Sequence, residues 1–220
     1  MRILKDIHSC LLIEKAGTRL LFDQGKFSFV EGLIKPEQFQ DLSAIILMHQ
    51  HPDHIDDAAL KQIVAHNPAA KVIANTQIQT RLETLGITCE VFEEGEQQLG
   101  EFKLSARVAA HAPLLNAEKP QNVAYLVDDT LLHPGDSFAQ SLDAFQGTQV
   151  LALPIMAPWA TELETVEFAL RLAPRQIIPI HDGYAKDFFR EQRYENFQSY
   201  LASQSIAFWR PRLPGEALEL

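Results

Sequence analysis

His49-Gln50-His51-Pro52-Asp53-His54 follows directly on the apolar run Ala44 to Met48. Four groups able to ligate a metal within six residues, at the end of a predicted buried strand, are hard to account for by packing. Unpaired buried polar groups are costly, so a loop this short and polar requires something bound to it, and a metal is the simplest candidate. Zinc accepts imidazole nitrogen and carboxylate oxygen, and a catalytic site needs about three protein ligands with one position left for water. The run offers more than one ion can use. With His49 and His51 on one side of an extended loop, as alternate residues are, and Asp53 and His54 turned toward a second locus, it predicts two neighbouring metals. Paired metals favour hydrolysis, because they acidify a bridging water and clamp the attacked group. A solvated histidine-rich turn or a lone structural ion is the bland alternative, but the full pattern after a strand is far less common than an isolated histidine pair.

The chain has 220 residues, of which 46% are hydrophobic and 22% charged. That is the composition of an ordinary globular protein, and it predicts one domain over residues 1–220 with a core of normal size. Its 29 acidic and 19 basic side chains give a formal net charge of -10. A nucleic-acid partner is disfavoured, because phosphate-backbone binding depends on Lys and Arg. Cys10 and Cys89 are the two cysteines, far apart and in apolar or strand-like surroundings, so they read as small buried hydrophobes of a reducing compartment. Met1 to Asp6 runs straight into a strand pattern with no visible signal peptide, and no apolar run approaches the ~20 residues that cross a bilayer. A cytoplasmic location without membrane association is expected. The sequence is silent on oligomeric state.

Outward from the motif, residues 7 to 15 and Arg19 to Phe22 read as two strands around Ala16-Gly17-Thr18, with His8 either structural or beside the metal loop, and Asp23 a turn residue or a ligand-orienting carboxylate. Residues 26 to 43 predict a loop that could rim the site, with a short helix from Pro36 to Leu42. Asp56 to Ala65 and Thr76 to Leu85, the latter stopped by Gly86, have helical spacing. Val72 to Ala74 and Ile87 to Phe92 read as strands. The βαβαβ rhythm implies a sheet with helices on its outer face. Phe102 to Ala109 alternates toward His111, either a lone loop histidine or a third ligand that would complete three-nitrogen coordination with His49 and His51. Val123 to Val127 and Thr130 to Leu132 predict a hairpin, followed by His133, read as strand-end structure, and Asp136, placed to bridge two ions. Val150 to Ile155 is an apolar strand. Thr161 and Glu164 form a capping box for a helix to Leu172. Gln176 to Ile180 is a further strand ending at His181, Phe188 to Leu201 an amphipathic helix, and Ala207 to Arg210 with Ala217 to Leu220 a final edge strand or hairpin. His49 to His54, His111, Asp136 and His181 thus each terminate a strand, as ligands on one sheet edge should.

These residues make the chain resemble the metallo-β-lactamase-fold hydrolases, most of all the group related to ascorbate-phosphate lactonase. Beside the histidine motif, the resemblance is carried by His8-Ser9-Cys10, Leu21-Phe22-Asp23, His133-Pro134-Gly135-Asp136, Leu153-Pro154-Ile155 and Ile178-Pro179-Ile180-His181. It implies an αββα sandwich, two mixed sheets face to face with helices outside. It also implies His49, His51 and His111 on one metal, Asp53, His54 and His181 on the other, and Asp136 bridging them. An acidic bridge, where the β-lactamases of the superfamily carry Cys, argues against antibiotic hydrolysis. Related lactonase-like proteins often have a glycine-rich turn where this chain has Met156-Ala157-Pro158-Trp159, so the resemblance speaks to the metals more than to the substrate. Trp159 reads as a lid or apolar wall, or else as a core-covering aromatic.

The expected activity is a dinuclear hydrolase, with a metal-bridging hydroxide attacking a small ester, lactone or phosphoester, and Asp53 or Asp136 orienting it and carrying its proton. His8, Trp159, Tyr184 and Lys186 are the candidate substrate contacts. Zinc is the expected ion, with manganese or iron as the others such a ligand set accepts. A phosphodiesterase or nuclease and a non-catalytic metal-binding regulator are the competing readings.

Overall fold

Alternation along the strands decides which way each side chain faces. Leu11, Ile13, Leu20, Phe22, Ala44 and Ile46 belong to one buried cluster, whereas Cys10, Leu12, Leu21, Ile45 and Leu47 belong to another. The strands are therefore buried on both faces, as sheets covered on both sides must be.

The computed structural model describes residues 1–115 and 118–220. In chain order the strands are β1 (Arg2–Lys5), β2 (Leu11–Lys15), β3 (Thr18–Phe22), β4 (Ala44–Ile46), β5 (Lys71–Ala74), β6 (Glu90–Val91), β7 (Gly95–Leu99), β8 (Phe102–Val108), β9 (Val123–Val127), β10 (Leu131–His133), β11 (Val150–Pro154), β12 (Gln176–Ile180), β13 (Ala207–Phe208) and β14 (Glu216–Glu219). The helices are α1 (Asp57–His66), α2 (Thr76–Leu85), α3 (Glu162–Leu172) and α4 (Asp187–Ser203).

Two seven-stranded sheets form, ordered β14-β1-β2-β3-β4-β5-β6 and β13-β12-β11-β10-β9-β8-β7. The first cluster fills the space between them, joining Leu20 and Phe22 to Phe102, Tyr125, Val150 and Ile178. A second lies under α1 and α2 and a third under α3 and α4. This is the αββα sandwich that the sequence led us to expect.

Direction places the site. β3, β4 and β5 run parallel in one sheet, and β10, β11 and β12 in the other. β8 shares the direction of β10, both being antiparallel to β9. The ends of β3, β4, β8, β10 and β12 therefore deliver Asp23, the histidine motif, His111, Asp136 and His181.

Several expectations need correcting. Residues 7 to 15 are not one strand: the Asp6 N–H donates to the Cys10 carbonyl, and Cys10 to that of Ile7, making a turn with His8 at φ 63°. The helix expected from Pro36 to Leu42 is a single 3-10 turn at Pro36–Gln38, and the strand at Ile87 to Phe92 shrinks to Glu90–Val91. Cys89 is half-buried rather than buried. β13 and β14 do not pair with each other. They close the edges of different sheets, β13 beside β12 and β14 beside β1.

Candidate metal centre

The loop after β4 is folded tightly by its own backbone. The N–H groups of His54 and Ile55 both donate to the His51 carbonyl, and Lys26 N–H donates to Pro52. Gly25 is required at this crossing, because a Cβ there would come within 1.7 Å of the Asp53 carbonyl oxygen. At the far side, Asn122 clamps the loop after β10. Its amide donates to Ala109 and Pro134, and its oxygen accepts the Asp136 N–H.

Two groups of possible ligand atoms result, each lying within 4.8 Å of one another: His49, His51, His111 and Asp136, and His8, Asp53, His54 and His181. Asp136 joins them. Its carboxylate is 3.7 Å from His49 Nε2, 3.5 Å from His111 Nε2, 3.2 Å from His54 Nε2 and 3.2 Å from His181 Nε2. Asp53 Oδ2 is 3.5 Å from His181 Nε2 and 3.9 Å from His54 Nε2.

The donor set fits metal ions. Among the described residues, both His49 nitrogens, His54 Nε2, His111 Nε2 and Asp136 Oδ1 are buried without an aligned hydrogen-bond partner. Native interiors rarely tolerate so many unpaired polar atoms in one place. The outer ring nitrogens are held so that the inner ones face the centre. His54 Nδ1 donates to Asp23 Oδ2 at 2.6 Å, His111 Nδ1 donates to the Ala112 carbonyl at 2.7 Å, and His181 Nδ1 lies 3.2 Å from the Tyr184 hydroxyl. Imidazoles oriented in this way by an outer partner are typical of metal ligands.

His8 behaves differently. Its Nδ1 accepts the Gly183 N–H at 3.1 Å, so its proton sits on Nε2, which donates to Asp53 Oδ2 at 3.2 Å. Burial, and then the neighbouring His181, push its pKa down to about 4, so the ring is neutral and aims the carboxylate. It is fully buried, with no face left for the substrate contact expected of it. His133 is likewise satisfied, donating to the Ser9 carbonyl and accepting from Gly135, while its ring stacks on Phe22. That is the structural role expected.

The charges interlock. Burial alone would raise the Asp136 carboxyl, but His181, His54 and His49 outweigh it and hold the group well below the usual carboxylate range. Burial would lower His54, but Asp136 and Asp23 push it well above an ordinary histidine. Burial and then His54 push His49 well below. The carboxylates of Asp136 and Asp23 on either side thus favour the protonated form of the His54 ring.

Of the remaining expected contacts, Trp159 is half-buried and donates its indole N–H to Asp136 Oδ2 at 3.1 Å. Tyr184 donates its hydroxyl to the Met156 carbonyl and packs near His8 and Phe27. Lys186 stands exposed at the residue before α4. Sequence reasoning did not reach Asn122, nor Asp182, whose buried carboxylate takes Lys5 at 3.1 Å and the Tyr194 hydroxyl directly below His181 in the chain. An acidic residue next to the strand-end histidine was the available signal.

Residues 3–181 match the model of the beta-lactamase superfamily domain. Protein Rv0786c of Mycobacterium tuberculosis is 38% identical over 185 residues, 80% of this chain and 81% of that one. A UPF0173 metal-dependent hydrolase of Opitutus terrae is 27% identical over 82% of this chain and 84% of its own. Among solved structures, Igni18, a metallo hydrolase from Ignicoccus hospitalis, superposes with a TM-score of 0.73 at 21% identity, covering 100% of this chain and 98% of that one. With two mixed sheets between helices, and histidines and aspartates gathered where their strands end, the chain belongs to the beta-lactamase superfamily, as a metal-dependent hydrolase of the metallo-β-lactamase fold.

Proposed function

We propose that the chain is a dinuclear hydrolase of a small ester, lactone or phosphoester. His49, His51 and His111 would hold one divalent ion, Asp53, His54 and His181 the other, and Asp136 both. The observation that carries this reading is the position of Asp136, within 3.7 Å of four imidazoles, of which His49, His54 and His111 have inner nitrogens buried without an aligned hydrogen-bond partner. When bound, two such ions polarise the attacked oxygen and make water a nucleophile at neutral pH. Zinc suits this nitrogen and oxygen set, as do manganese and iron.

The chain's own groups divide the remaining work. The Asp136 side chain is 2% exposed, against 21% for Asp53. Asp136 therefore serves as the holder, and Asp53, open to the cleft and aimed by His8, takes the proton of the attacking water. A small substrate agrees with the formal net charge of -10, which disfavours binding along a phosphate backbone. The lactonase-like character rests on the motifs shared with that group, and the name metal-dependent hydrolase borne by relatives supports the reaction class.

Elemental analysis of the purified protein, with turnover of chromogenic ester, lactone and phosphodiester substrates, tests the proposal. Two equivalents of metal and turnover of at least one substrate are expected. His51→Ala and Asp53→Ala should each lose most of the metal and about a hundredfold or more of the activity while circular dichroism shows a folded chain. Full turnover in both variants would rule the mechanism out.

A further inference from the structure

Beside His111 the loops after β8, β10 and β11 and one face of α3 enclose a cavity of about 520 Å³. That lies within the ~300–1,000 Å³ of pockets that bury whole small molecules. Its inner end is the His111 imidazole and the Trp159 indole. Its wall is aromatic: Phe138 meets Trp159 edge-on at 4.9 Å and 70°, and stacks on Phe168 at 4.4 Å and 21°. Ala110, Ala112, Ala139 and Ala160 also line it, beside Pro113 and Gln140, and the short alanine side chains leave the width open.

The outer rim carries Glu164, Glu167 and Arg171. Arg171 is already committed, donating to the Phe138 carbonyl at 2.6 Å, pairing with Asp143 at 3.0 Å and lying 5.4 Å over the Phe168 ring. An anionic group arriving at this end meets two carboxylates and no free cation among the described lining residues. An aromatic ring meets faces and edges at the spacings that such rings favour.

We infer that this cavity is the subsite for an uncharged aromatic ring, carried on the part of the substrate that does not react. The inference rests on the hydrolase reading for the word substrate, and on the cavity alone for the ring. Trp159 ties the two together, since its N–H is engaged by Asp136 while its ring walls the cavity.

The metal-loaded, full-length Trp209→Phe variant leaves Trp159 as the sole indole. Titration with 4-nitrotoluene, a neutral quencher that is neither cleaved nor a good ligand, should quench its fluorescence saturably. Ala160→Phe, which fills the cavity, should weaken that binding about tenfold or more. Gln140→Phe, at an exposed position of the mouth, should do the same without touching the core. Glu167→Lys should leave 4-nitrotoluene unchanged and tighten 4-nitrobenzenesulfonate about threefold, the scale of one screened charge. Linear quenching, or saturable quenching indifferent to both filling substitutions, overturns the ring subsite. An unchanged sulfonate affinity overturns the part assigned to the rim. Because no turnover is measured, failure here leaves the metal and substrate assays untouched, and their failure leaves this result standing.

Discussion

Asp23 shows how much one carboxylate outside the ligand groups can control. Oδ1 accepts the Met48 N–H at 3.0 Å and Oδ2 accepts His54 Nδ1 at 2.6 Å, in a site with no solvent exposure. Asp23→Asn should leave the strand end folded but loosen the His54 ring, lowering metal affinity about 10- to 100-fold in a competition titration against a chromophoric chelator. Asp6 gives a test in proton linkage. Burial raises its carboxyl from 3.8 to about 6, against the opposing pull of Lys5. Between those two values the folded chain holds the proton more tightly than the unfolded one. Stability contributed by this group is therefore present at low pH and lost as pH rises through about 6. Asp6→Asn should stabilise the protein at pH 7.5 by up to about 2 kcal/mol, with the gain gone near pH 4, as urea melts at the two pH values would report. The candidate ligands were legible because four crowd into one hexapeptide and the other three, His111, Asp136 and His181, sit alone at strand ends. The partners of Asp23 were not, since 31 positions separate it from His54 and only folding brings the two together. Asn122 was invisible for the same reason.

Elements with local punctuation were read to the residue. Thr76–Leu85 ends at Gly86 with φ 73°, and Glu162–Leu172 starts at a Thr161–Glu164 capping box, so side chains within one turn decide both boundaries. Edge strands were not, because nothing in Ala207–Phe208 or Glu216–Glu219 says which of two sheets each will join. The crossing of the β3 end over the histidine loop makes an element-level prediction. Gly25→Ala places a methyl within 1.7 Å of the Asp53 carbonyl, so one segment must move. We expect a loss of about 1–3 kcal/mol in thermal or urea unfolding, together with weaker metal binding, because Asp53 is on the displaced segment. Stability and metal content both at wild-type levels would show that the crossing has room to spare.

At the scale of the whole molecule, the two sheets meet over a shared interior cluster and each contributes ligand groups at the same end. Cations seated there would tie one sheet to the other, so chelation should lower the melting temperature as well as abolish activity. The carboxylates that raise the His54 pKa set the sign of the pH effect. The proton they favour must leave before the ring can ligate, so metal affinity should rise with pH, and loading should release protons. Calorimetric titrations in two buffers of different ionisation enthalpy count them. The pairing of β14 with β1 reaches further, since the Met1 nitrogen donates to the Leu220 carbonyl at 3.0 Å and residues 1 and 220 lie side by side. A short glycine-serine bridge could join them, and the chain could be reopened between Pro68 and Ala69, in the exposed connection ahead of β5. Such a circularly permuted molecule should reassemble the same cleft, and a reordered gene would then encode an unchanged catalyst.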